Sequence, residues 1–308
     1  MTGAARAGAA GGRSPVAGTN RDRLVATVVV GRIAPVRLLG DPYVVTADGT
    51  PMVAVGAGGI TPTVRVGMPA GGWAAEQVEP AVSLAHQDPD ANRALCLYAC
   101  VGNRVEVQDG DVDGAIGVVT GKHEQFQAFS HVLVDFPAAV LEGMGPGARF
   151  VVRAIGCGLA AAGAPSVVCH SLAPDLWEAW APTVDDHRLL VRVAATCPPE
   201  LVGMGAGRLG ATTSLAIQTA DRAALDAHQL TRVRLGDLVA IRDWDARFAM
   251  GHRPGALTVG VVATGTSRVL GQGMAVTVLL SCADGHLRTT EDRGANIAEL
   301  LGIGVDAP

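Results

Sequence analysis

From Leu24 onward the chain runs in short apolar stretches broken by Gly, Pro and Asp. A β-branched run over 25–33 predicts a strand. Segments 43–46 and 52–55, on either side of Ala47-Asp48-Gly49-Thr50-Pro51, predict a hairpin around a glycine turn. The alternation of Thr63-Val64-Arg65-Val66 predicts another strand. Asp88-Pro89-Asp90 supplies a helix start, carried through 91–101 and stopped by Gly102-Asn103. Further strands are predicted over 104–108, 115–120, 131–136, 150–154, 167–170, 188–194, 215–219, 238–241, 257–263 and 275–281. Short helices are predicted over 175–180, 221–228 and 295–301. Strands dominate and do not alternate regularly with helices, so the pattern predicts a β-rich α+β fold. The Gly/Pro cluster at 141–147 divides it. The expected organisation is a structureless tail over 1–22, a β-rich part over 23–142 and a second β-rich part over 143–308, each with a few short helices.

Composition sharpens this picture. Apolar residues are 49% of the 308, enough for a sizeable core, and aromatics only 4%, so aliphatic side chains must fill it. The formal charge of −5 lacks the broad positive field of a nucleic-acid binder. No apolar run is long enough to span a membrane, and no secretory h-region follows the N-terminal arginines. The six cysteines are scattered without a C-x-x-C pair, as expected for a reduced, cytoplasmic protein. Cys96 and Cys100 stand one helical turn apart, but no second pair completes a metal site.

Three motifs have plain readings beside their chemical ones. Asp109-Gly110-Asp111-Val112-Asp113-Gly114 opens like a calcium loop, yet the twelfth position is Thr120 rather than Glu, so an acidic turn is expected. Gly205-Ala206-Gly207-Arg208-Leu209-Gly210 matches G-x-G-x-x-G but lacks the strand before and helix after that dinucleotide binding needs. It reads as a loop in which Arg208, with the hydroxyls of Thr212, Thr213 and Ser214, holds an anion or carboxylate. Asp243-Trp244-Asp245 places two carboxylates near Arg242, Arg247 and Arg253, and arginine pairing is the expected use.

Lys122 is the sole lysine among 24 basic residues. In a chain that otherwise uses arginine, it is a candidate for work that a permanently charged guanidinium cannot do. It sits in Gly121-Lys122-His123, at the end of one predicted strand, and His131 opens the next. A hairpin would gather Lys122, His123 and His131 at the loop base as an acid/base cluster. Asp135 shares the His131 face, but four residues of strand span about 13 Å, too far for one metal ion.

These stretches resemble a bacterial and archaeal family catalogued as domain of unknown function number 4438, with N- and C-terminal parts. The resemblance runs from about Glu79 to Leu301. Its marks are Val78-Glu79-Pro80-Ala81-Val82-Ser83, Ala99-Cys100-Val101-Gly102-Asn103, Gly117 to His123, His131 to Phe136, Gly203 to Gly207, Ile217 to Asp221, Gly236 to Ile241 and Gly255 to Val262. It implies a two-part cytoplasmic protein with no settled activity. The chain departs from the family pattern at Glu124-Gln125-Phe126, where small glycines are usual. It also departs near Ser214–Ala216, where acidic residues are usual, and at Cys157, where Gln is common.

The expected function is non-redox acid/base chemistry on a small polar or carboxylated molecule: hydrolysis, elimination or cyclisation, in a specialised member of secondary metabolism. Lys122 would be base or nucleophile, His123 and His131 proton carriers, and the Arg208 loop the anion holder, with Asp221 and Asp237 as orienting groups. No cofactor or metal is expected, and no nucleic-acid or membrane partner. Two alternatives are a non-catalytic ligand-binding or scaffold homo-oligomer, and a divalent-metal hydrolase using His123 or His131 with Asp243 or Asp245. A homo-oligomer is expected under the first reading as well.

Overall fold

A computed structural model describes residues 16–36, 43–53, 56–108, 110–125 and 129–305. The first half holds β1 (Thr27–Ile33), a hairpin of β2 (Tyr43–Val45) and β3 (Pro51–Val53), then β4 (Ile60–Thr61) and β5 (Ala81–Ala85). Helix α1 (Pro89–Tyr98) follows, then β6 (Arg104–Val107), β7 (Ile116–Gln125), β8 (Phe129–Asp135), α2 (Ala138–Gly143) and β9 (Arg149–Ala154). Six of these strands close into an antiparallel barrel in the order β1-β9-β6-β7-β8-β5, sealed because β1 pairs with β5 as well as β9. Closure removes the sheet edges. Val82, Leu84, Val105, Val107, Val134, Phe150 and Val152 fill its core, which α1 joins through Leu95 and Cys96, with Ala99 just past its end. Asp88 caps α1 by accepting the Ala91 N–H at 2.8 Å.

The second half holds β10 (Val168–Cys169), α3 (Pro174–Trp180), β11 (Thr183–Asp185), β12 (Arg188–Val193), β13 (Ala195–Cys197), β14 (Val202–Met204) and β15 (Ser214–Gln218). It continues with α4 (Arg222–Ala227), β16 (Leu238–Asp245), β17 (Gly251–Val262), β18 (Gly273–Cys282), β19 (Leu287–Glu291) and α5 (Ile297–Leu301). Its main sheet runs β13-β16-β17-β18-β15-β14, with β10 also on β18, and a three-stranded sheet runs β11-β12-β19. Strand β18 is buried along its whole length.

The strand-rich α+β class holds, but the boundaries move. Strand β9, expected in the second part, closes the barrel, so a division at 142 cuts through the first core. Residues 1–15 lie outside the described residues. From Val16 the chain is packed, not a tail: Val16 bridges Thr183, Thr19 bridges Ala161, and Trp177 donates to the Ala17 carbonyl at 2.8 Å. Small Ala and Gly residues fit flush there without any periodic apolar signal. Segment 63–66 is not a strand. Val64 and Val66 turn into the cores of the second half, while Arg65 reaches back to Asp135.

Many contacts join the halves, and two of them hold the β7–β8 hairpin. The β7–β8 hairpin outruns β6, whose pairing ends at Val118, and its extension lies against β18. The Lys122 N–H donates to Thr277 Oγ1 at 2.7 Å, and the same hydroxyl donates to the Lys122 carbonyl at 3.2 Å. Gly121 is required there, because a Cβ would sit 2.7 Å from the Ala263 Cβ. The second contact is a buried fork in which Arg65 donates to Asp135 at 2.6 and 2.8 Å. The Gly304 N–H adds to Asp135 at 3.0 Å. Replacing Arg65→Met strands the Asp135 charge in a buried setting. It is expected to cost about 3–5 kcal/mol in urea denaturation, whereas an effect under about 1 kcal/mol would mean the pair is solvated.

Candidate functional site

Strand alternation decides what the hairpin brings together. His123 and His131 are directly opposed across the β7–β8 ladder, while Lys122 is opposed to Val132. The two imidazoles therefore share one side, and Lys122 points to the other. The group between the imidazoles is Glu79, on the segment leading into β5. It is completely buried. His123 Nδ1 lies 2.6 Å from Glu79 Oε1, and His131 Nδ1 lies 2.9 Å from Oε2. The Gly58 N–H donates to Oε2 at 2.7 Å, and the Ser83 hydroxyl donates to the same oxygen.

The electrostatics follow from this geometry. Burial by itself would push the Glu79 carboxyl up. The His131 charge, the hydrogen bonds from His123 and His131, and the His123 charge together outweigh burial and hold it well below its ordinary range. The segment carrying Glu79 is strained on both sides: Gln77 has φ 46° and Ala81 φ 56°, in the left-handed region. Its conformation is held by the Glu79 N–H on the Gly56 carbonyl at 2.6 Å and the Gln77 N–H on the Thr266 carbonyl at 3.0 Å.

His123 forms part of the wall of a cavity of about 320 Å³ between the hairpin and the β14–β15 edge. Arg208, Glu124, Gln77 and Ser214 also line it, together with the glycine loop over 203–206. With Nδ1–H committed to Glu79, His123 Nε2 makes no hydrogen bond among the described residues. Arg208 is paired with Glu124 on the same wall. A Cβ on Gly205, at φ 118°, would lie 2.8 Å from the Leu215 Cβ, so the glycine serves close packing. A larger cavity, about 730 Å³, lies near Trp73, Arg222 and Arg268 but holds neither an imidazole nor a buried carboxylate.

The other expected site residues go elsewhere. The cluster of Lys122 with two histidines does not form. The Lys122 ammonium is buried and donates to Ser171 Oγ at 2.7 Å and to the Ala211 carbonyl at 2.8 Å. Thr212 and Thr213 spend their hydroxyls on the Leu209 carbonyl. Asp221 caps α4 through the Ala224 N–H at 3.0 Å. Asp237 is buried, accepting from the Arg234 N–H and the Asn296 amide, both at 2.7 Å. Asp245 pairs with Arg247 and Arg253, and Asp243 accepts the Gly255 N–H, so neither joins the histidines. Asp109 of the acidic loop lies outside the described residues. Among the described residues no three metal-ligating side chains are grouped to hold an ion, and no helix is long and apolar enough to cross a membrane.

Residues 43–178 match the family described as Domain of unknown function (DUF4438), N-terminal, and residues 179–301 match Domain of unknown function (DUF4438), C-terminal. The chain belongs to this family. A solved structure titled "Crystal structure of TM1086" superposes with a TM-score of 0.86 at 35% sequence identity, over 92% of this chain and 99% of that one. No curated protein matches the chain.

Within this DUF4438 chain the residue that sequence reasoning missed is Glu79. The available signal was a lone carboxylate in Val78-Glu79-Pro80-Ala81-Val82, a run otherwise apolar. A charge buried there needs partners, and the histidines are the natural ones. Because the Glu79 pKa falls below its ordinary 4.5, its contribution to stability is complete above that value and is lost as pH falls below it. Glu79→Gln is expected to cost roughly 2–4 kcal/mol at neutral pH in urea titrations. The gap to the parent should narrow as pH drops through about 4, whereas a gap of constant size would show that Glu79 carries no charge.

Proposed function

We propose that the protein is an enzyme that binds a small carboxylated molecule in the cavity between barrel and second sheet and moves a proton on it through His123. The carrying observation is the oriented imidazole: Nδ1 is tied to a buried carboxylate, and Nε2 is unpaired beside the cavity that His123 helps to line. With Nδ1–H donated to Glu79, the ring presents the lone pair of Nε2 toward a bound molecule. Arg208 supports the anion-holding role, because a substrate carboxylate can replace Glu124 as its partner. Ser214 and Gln77 add polar contacts along the same wall. The reaction class is non-redox: hydrolysis, elimination or cyclisation, with His123 taking a proton in one step and returning it in the next. His131 acts as a positioning residue that shares Glu79 and holds its charge in place.

A reducing, cytoplasmic setting accords with six free thiols. The exposed apolar side chains of Val25, ahead of β1, and of Val28 and Val30 on it support self-association. The test is a thermal-shift screen against mono- and dicarboxylic acids, followed by turnover assays on any acid that stabilises the protein. His123→Gln is expected to keep binding and lose turnover by about 10²–10⁴-fold, whereas Arg208→Leu is expected to lose binding. Unchanged turnover in the His123 variant would remove His123 as the proton carrier, and binding without any turnover in the parent would favour a non-catalytic binding module.

A further inference from the structure

Lys122 is not part of that cavity, and its surroundings are unusual. Its amine is fully buried and held by two neutral acceptors, and among the described residues no carboxylate pairs with it. The ionisable groups that act on it are the thiols of Cys100, Cys96 and Cys157. Cys100 is buried just past the end of α1, and Cys157, in the turn after β9, is the one exposed cysteine of the six. The two segments touch closely. A Cβ on Gly156 would lie 2.8 Å from Cys100 Sγ and 3.1 Å from its Cβ, so only glycine, here at φ 140°, permits the approach. The Cys100 and Cys157 thiols are close enough to shift each other's titration, and the Cys157 thiol donates to the Leu97 carbonyl at 3.5 Å. On its outer side Cys157 lines a cavity of about 310 Å³ with Val25, Thr27, Tyr98, Ala154 and Ile155.

We infer that Cys157 and Cys100 form a peroxide-responsive dithiol, in which Cys157 is the attacking thiol at the surface and Cys100 the resolving thiol behind it. The Cys157 thiolate attacks one oxygen of a hydroperoxide. An S–O bond forms, the O–O bond breaks, and the leaving alkoxide or hydroxide takes up a proton, giving a sulfenic acid. The Cys100 sulfur then attacks that sulfenic sulfur. The S–O bond breaks, an S–S bond forms, and the Cys100 proton leaves with the hydroxide as water. Peroxide is reduced by two electrons and the thiol pair is oxidised by two.

The electrostatics favour this division of roles. The neighbouring Cys100 thiol lowers the Cys157 thiol, partial burial opposes it, and the Lys122 charge lowers it further, bringing it to about 7. Cys100 moves the other way, raised by its neighbour Cys157 and by its own burial, so it stays protonated until a sulfenic acid appears. Cys96 and His170 also feel the Lys122 charge. A lysine in this role is the one cation compact enough to be enclosed by a hydroxyl and a carbonyl.

The full chain is treated with hydrogen peroxide and analysed by peptide mass spectrometry. A Cys100–Cys157 linked peptide is expected, absent in Cys157→Ser. In Cys100→Ser, dimedone should trap a sulfenic acid on Cys157. Alkylation of Cys157 by iodoacetamide should titrate near pH 7 and shift to higher pH in Lys122→Met. Should that variant not fold, the parent profile and the two serine variants still decide. The inference is overturned if Cys157 alkylates with an ordinary thiol profile, or if peroxide carries it to sulfinic acid while Cys100 stays reduced.

Discussion

One buried carboxylate organises the molecule around its cavity. Glu79 gathers a backbone N–H from Gly58, the Ser83 hydroxyl and the imidazoles of two neighbouring strands, so that a loop, β5, β7 and β8 all end on two oxygens. A charge with no access to water tolerates no missing donor. That demand fixes the hairpin register, because only the pairing that opposes His123 to His131 presents both rings. It also accounts for the strained backbone at Gln77 and Ala81, which the surrounding contacts hold. The unpaired face of His123 follows from the same constraint: the ring is turned inward by its Nδ1, and Nε2 is left over.

The fold class and most of the strands were legible in the chain, because β-branched runs between glycine turns have few other solutions. Helix α1 was legible from Asp88 and the following Pro89. Segment 63–66 was not. Its alternation is a strand's, yet three adjacent side chains have separate destinations, two in apolar cores and Arg65 on Asp135. A local pattern cannot reveal a partner seventy residues away. Barrel closure was illegible for the same reason, since β9 belongs by sequence to a segment beyond the glycine cluster and by hydrogen bonding to β1.

At the site, the hairpin and the pairing of its two histidines were readable from spacing, and so was Arg208 as a group facing the cavity. Lys122 was readable as exceptional, but its direction was not. Adjacent residues on a strand point to opposite sides, so Lys122 and His123 cannot both serve one recess. Glu79 was hidden because a lone acid carries no pattern; its role appears only when the sheet brings β5 beside β8. Asp221 and Asp237 illustrate the converse. Acids near glycine-rich turns resemble site residues, and here one caps a helix and the other ties a turn to Asn296.

The ends of the described chain are crossed. Ala17 and Thr19 lie on the second half, against Trp177 and Ala161, while Gly304 returns to the first half and bonds Asp135. During synthesis the barrel strands emerge well before residue 304, so the Arg65–Asp135 fork stays incompletely screened until nearly the whole polypeptide has left the ribosome. The last native contacts of the first half therefore wait for the end of the chain. A gene split at the junction of the two family segments, after residue 178, would separate groups that each part draws from the other.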